Sequence, residues 1–245
     1  FFNLVRVYLD AVFHPNITED TLRQEGHHLG FKTTPDGGVS LTIKGIVYNE
    51  MKGEFSDPDT LFESVEARRL FPDTPYAFES GGLPDVIPDL TYAAFLEFYE
   101  RNYAPANAKV FLYGNIPTLV QLSFLDEQFA TVPDSAPRSI DFPCQPIWDV
   151  PRRETVRVPI SEDENPAEHG TVALSWNLGF LTDPVEDLAM EAIDRLLVGD
   201  AASPLRKALI DARAGDDLTA SGYQCDDLLS SFHVGLKGLD TARAE

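Results

Sequence analysis

The chain has 245 residues, 43% of them hydrophobic, which is enough for one large or two smaller cored domains and too apolar for disorder. Forty acidic against 19 basic residues give a formal net charge of −21, spread through both halves. That argues against nucleic acid as a partner, since phosphate binding relies on clustered Lys and Arg; such a surface would attract basic peptides, or serves solubility alone. No apolar run approaches the ~20 residues of a membrane span. Cys144 and Cys225 are too few for a disulfide framework or a closely spaced zinc pair, and read as free thiols of a reducing compartment.

Leu4, Val5, Tyr8, Leu9 and Val12 recur at helical spacing, so residues 1–13 form a predicted amphipathic helix, stopped by Pro15. The chain opens on Phe1 with this helix already under way and reads as a piece of a longer polypeptide. Thr18 to His28 reads as a shorter helix. Thr34-Pro35-Asp36-Gly37-Gly38 is a turn, flanked by Leu29–Lys32 and by the alternating Val39, Leu41 and Ile43 as a hairpin. A helix is predicted over Ile46–Glu54. Asp57-Pro58 caps the next one, to about Leu70. Residues 71–90 carry Pro72, Pro75, Pro84 and Pro88 and read as a long loop.

Thr91 caps a helix through Tyr103 with Phe95, Phe98 and Tyr99 inward; Lys109–Tyr113 reads as a strand and Pro117–Phe129 as a helix. The prolines at 133, 137, 143, 146 and 151 mark a linker. Beyond it, strands are predicted at Thr155–Ile160 and Thr171–Trp176. Asp183-Pro184 and Ser203-Pro204 each cap a helix, the first stopped by Gly199. Leu218–Cys225 and Phe232–Lys237 read as paired strands. Hairpins and helices in both halves give an α+β class with antiparallel sheets.

Gly45-Ile46-Val47-Tyr48-Asn49-Glu50-Met51-Lys52-Gly53 is the most informative stretch. It is followed by Phe71-Pro72-Asp73-Thr74-Pro75-Tyr76, Ser80-Gly81-Gly82 and Ile87-Pro88-Asp89-Leu90-Thr91-Tyr92. Together they resemble the presequence-protease branch of the pitrilysin-like zinc peptidases, from Phe2 to about Leu239. The resemblance implies parts of two homologous pitrilysin-like domains: 1–132 the later part of the first, 133–151 the linker, 152–245 the early part of the second. It implies that Glu50 is the third zinc ligand, with Glu25 and Asn49 beside it. The other two ligands and the general base belong to an upstream His-x-x-Glu-His helix that these residues do not contain, so no catalytic residue is assigned here.

Gln24-Glu25-Gly26-His27-His28 resembles the family's Gln-Glu-Gly-Trp-His segment, with His27 in place of Trp. Adjacent histidines rarely chelate one ion together, so these read as surface or supporting residues. Asn165-Pro166-Ala167-Glu168-His169 imitates His-x-x-Glu-His with Asn165 in the first place, leaving one imidazole and no pair. The implied function is zinc-dependent endoproteolysis of unfolded peptides such as cleaved targeting sequences, within a longer chain; the rival is a non-catalytic peptide-binding or scaffold relative. The implied compartment is the mitochondrial matrix or plastid in a eukaryote, the cytoplasm in a bacterium.

Overall fold

The computed structural model describes residues 1–241 except 135, 139–141, 162–164, 166, 168, 227 and 228. The fold is α+β with antiparallel sheets, in two compact units. The first comprises Phe1–Lys52 and Gly81–Asp141, the second Gly53–Ser80 and Phe142–Glu245.

The first unit opens with α1 (Phe2–Phe13) and the single turn α2 (Glu19–Thr21), where Thr18 accepts from the Thr21 amide. The turn widens over Leu22–Gly26, and His27 is extended. The helix expected to reach His28 therefore ends earlier, because His28 is claimed by the hairpin, pairing with Lys44. Strands β1 (His28–Thr33) and β2 (Val39–Lys44) pair in register Phe31 to Leu41. In the turn between them, Thr34 Oγ1 and the Gly38 amide both donate to Asp36, holding its carboxyl below the usual carboxylate range.

Helix α3 (Ile46–Glu54) follows directly. Later in this unit come α5 (Tyr92–Asn102), capped by Thr91, and α6 (Thr118–Phe129). Aromatic rings join α1 to α6, with Phe2 and Phe124 4.7 Å apart and Phe13 and Phe129 5.7 Å apart. Tyrosine hydroxyls tie down the segment around α1: Tyr99 donates to the Val12 carbonyl at 2.6 Å and Tyr92 to the Ile17 carbonyl at 3.0 Å. Phe95 and Phe98, expected inward, are exposed. Among the described residues, α5 is held by these tyrosine contacts while Phe95 and Phe98 stay open to water.

In the second unit, α4 (Pro58–Leu70) is capped as the sequence predicts: Asp57 accepts from the amides of Asp59 at 2.8 Å and Thr60 at 3.3 Å. The sheet is built from β3 (Gly170–Phe180), β4 (Asp217–Leu218), β5 (Gly222–Asp226) and β6 (Leu229–Leu239). β6 is central, with β3 on one side and β5 then β4 along the other, all antiparallel. α7 (Pro184–Leu197) is capped by Asp183 and packs on β5, where its Asp194 accepts from the Tyr223 amide at 3.1 Å. α8 (Pro204–Ala212) follows, without the expected Ser203 cap. The Ser203 hydroxyl instead accepts from the Asp200 amide and donates to the Arg195 carbonyl, closing the turn after α7. Leu70, Phe71 and Leu229, with Tyr76 and Phe180, form a buried apolar cluster.

Lys109–Tyr113 and Thr155–Ile160 are not strands. Lys109–Tyr113 is a short apolar run and Thr155–Ile160 alternates, but a strand exists only through a hydrogen-bonded neighbour, and neither segment has one among the described residues; Phe111 and Tyr113 stand exposed. In the stretch 133–151, residues 135 and 139–141 lie outside the described residues. Buried Gln145 anchors its second half, accepting from the Asp73 amide at 2.9 Å and donating to the Asp73 carboxylate at 3.0 Å.

Candidate metal-ligand position

Gly45 sets the geometry ahead of α3. A Cβ at this residue would overlap the Gly26 carbonyl oxygen, so only glycine lets the chain leave β2 against the Gly26–His27 backbone. The first turn of α3 thus lies beside the Gln24–His28 segment that the sequence singles out. Met51 packs against Gly81, where again a side chain would overlap its sulfur. The Asn-Glu-Met-Lys-Gly and Ser-Gly-Gly motifs therefore meet at Met51.

Glu50 is exposed on α3, with Asn49 exposed beside it. Glu25 is half-buried and accepts from the Gln24 side-chain amide at 3.0 Å. The adjacent histidines diverge. His27 Nε2 donates to the Leu90 carbonyl at 2.9 Å, and His28 Nδ1 donates to the Arg23 carbonyl at 2.6 Å. Each ring is tied to main chain, and the two do not face a common point as a chelating pair would.

A catalytic zinc takes three protein ligands and a water. Among the described residues, no three His, Cys, Asp or Glu side chains come together. Glu50 suits zinc as a single exposed carboxylate donor, and the residues present fit one ligand rather than a site. Of the Asn165–His169 imitation, Pro166 and Glu168 lie outside the described residues; Asn165 and His169 are exposed. Cys144 and Cys225 are free and exposed. No helix among the described residues is long and apolar enough to cross a membrane.

Sequence reasoning missed a buried polar group in the second unit, formed by Glu66, Ser175, Ser231 and His233. Ser231 and His233, two apart on a strand, were its only local sign.

Residues 89–240, more than half of the chain, match the family described as the Peptidase M16 inactive domain. Glu50 lies outside that match. The chain is 35% identical over 241 residues to the mitochondrial presequence protease of Danio rerio, covering 98% of this chain and 24% of that protein. It is also 35% identical over 243 residues to the chloroplastic/mitochondrial presequence protease 1 of Arabidopsis thaliana, covering 98% of this chain and 22% of that protein. A third relative, protein HypA of Clostridium perfringens, is 35% identical over 247 residues, covering 100% of this chain and 25% of that protein. The chain thus spans about a quarter of the length of the relatives it matches. It belongs to the M16, pitrilysin-like peptidase family, on its presequence-protease side.

Proposed function

We propose that this chain is the part of a zinc metalloendopeptidase that carries the third metal ligand, Glu50, and that the whole protein degrades unfolded peptides such as cleaved targeting sequences. The observation that carries the reading is similarity to presequence proteases over 98% of the chain, including the Asn49-Glu50-Met51-Lys52-Gly53 segment on α3. In this reading residues 1–132 and 152–245 belong to two homologous domains, and an upstream His-x-x-Glu-His helix supplies the other ligands and the general base. Bound zinc would supply an activated water and a polarised scissile carbonyl. The chain's own part is to hold one carboxylate at a fixed place on a helix, and its net charge of −21 suits basic peptides.

A second reading, a non-catalytic peptide-binding or scaffold subunit, is favoured by the match to the inactive-domain family over 89–240. Cleavage of an unfolded basic peptide by the full-length polypeptide decides between them. Turnover abolished by a chelator and restored by zinc supports the peptidase; binding without turnover supports the scaffold. The 245 residues alone are expected to retain well under one zinc per chain after dialysis, because one carboxylate cannot replace three ligands. Stoichiometric zinc would contradict that.

A further inference from the structure

A closed frame of contacts surrounds α3, the helix that carries Glu50. At its start, the Asn49 amide donates to the Gly45 carbonyl at 3.0 Å, and Gly45 lies against the Gly26–His27 backbone too closely for any side chain. On the next turn, half-buried Met51 sets its sulfur where a side chain at Gly81 would stand. His27 joins these two sides, donating from Nε2 to the Leu90 carbonyl at 2.9 Å.

The stretch from Gly81 to Leu90 is built to carry such a link. The amides of Val86 and Ile87 both donate to the Leu83 carbonyl at 2.9 Å, Asp89 donates to Val86 at 3.0 Å, and Leu90 to Ile87 at 3.1 Å. The Ile87 side chain is buried. Overlapping turns of this kind leave the backbone little freedom of its own, so a displacement at Leu90 is passed to Gly81 and Met51.

An α-helix rises about 1.5 Å and turns about 100° per residue. Gly45 and Met51 therefore hold α3 at points about 9 Å apart along its axis. Met51, next to Glu50, sets the rotation of the helix and with it the direction of the Glu50 carboxylate. A metal ligand needs that support, since a working site is held to within about 0.5 Å.

His27 stands where the family's Gln-Glu-Gly-Trp-His segment has Trp. An indole carries one ring N–H donor, and an imidazole can supply the same. The two residues share the ability to present a ring N–H to the Leu90 carbonyl.

We propose that His27 is a positioning residue for the metal ligand: by fastening Leu90 it closes the frame that aims Glu50. This rests on the reading of Glu50 as a zinc ligand, and His27 does not itself touch the metal.

The test uses the full-length polypeptide with two readouts, zinc affinity by chelator competition and hydrogen exchange of peptides covering 46–54 in the zinc-free protein. His27→Phe keeps a ring and removes the donor. It should weaken zinc roughly tenfold, the lower end for residues that orient a ligand, and speed exchange in 46–54. His27→Trp, which restores a ring N–H, should match wild type in both. Met51→Ala opens the opposite side of the frame with a good helix former and should behave like His27→Phe. Glu50→Gln should lose zinc and leave exchange in 46–54 unchanged. Zinc retained in Glu50→Gln would sink the ligand reading itself. Zinc lost there but unchanged in His27→Phe and Met51→Ala would overturn the positioning role alone, as would faster exchange without weaker zinc. Should His27→Phe fail to fold, the other two variants decide: weak zinc in His27→Trp, or wild-type zinc in Met51→Ala, would overturn the proposal.

Discussion

Gly45 shows how a single position fixes the local path of the chain. Its missing side chain is what allows β2 to lead into α3 against the Gly26 carbonyl. Gly45→Ala should cost about 1–3 kcal/mol, the range for forcing extra atoms into a packed place. Denaturant unfolding measures it, and a loss below about 0.5 kcal/mol would mean that the contact relaxes freely. Tyr223 carries a second expectation. Burial first, then the hydrogen bond to Asp187, pushes its phenol well above the ordinary tyrosine value. A group raised in the folded state adds stability that is intact below its unfolded value and fades as pH climbs past ~10. Ultraviolet titration of wild type against Tyr223→Phe should show no Tyr223 ionisation near pH 10–11 while the protein is folded. The segment around Glu50 could be singled out in the sequence because its whole motif is contiguous. The Glu66–His233 pair could not, because its members lie in distant parts of the chain and meet only when α4 covers β6.

Helix boundaries were the most legible elements, since their signals are local. Asp57-Pro58 and Asp183-Pro184 place a capping carboxylate and a proline where free amides need the first and tolerate the second, and both helices start there. Asp57→Ala should therefore cost about 1 kcal/mol in thermal or denaturant unfolding. Ser203-Pro204 looked the same, yet the Ser203 hydroxyl is consumed by the preceding turn. Strands were less legible. The 29–43 hairpin was found because a strong turn brings its two strands together, whereas the apolar run 109–113 and the alternating 155–160 have no hydrogen-bonded neighbour among the described residues. Where β6 meets α4 the apolar contact is small, so Leu229 matters out of proportion. Leu229→Ala should cost about 2–5 kcal/mol, the usual range for emptying a buried leucine position. A change under 1 kcal/mol would show that the Leu70–Phe71–Leu229 cluster does not hold the helix.

Large apolar faces are left open to water among the described residues. On the hairpin, Leu29, Phe31, Val39 and Leu41 share one face and are each about 70% exposed, and a lone two-stranded hairpin is marginally stable in water. The chain spans about a quarter of the length of its relatives, and the proposal that Glu50 completes a zinc site likewise depends on residues beyond these 245. The direct test is made on the full-length polypeptide, comparing Glu50→Gln with Glu54→Gln. Gln keeps the size and an acceptor oxygen but removes the charge that balances Zn²⁺, and Glu54 lies one turn further along the same helical face. Zinc content after dialysis and chelator-sensitive peptide cleavage are both read. Glu50→Gln should lose metal and turnover by well over the ~10–100-fold typical of supporting residues around a metal, with the fold intact by circular dichroism and Glu54→Gln near wild type. Wild-type zinc and turnover in Glu50→Gln, or damage from Glu54→Gln instead, would contradict the assignment of Glu50 as the ligand.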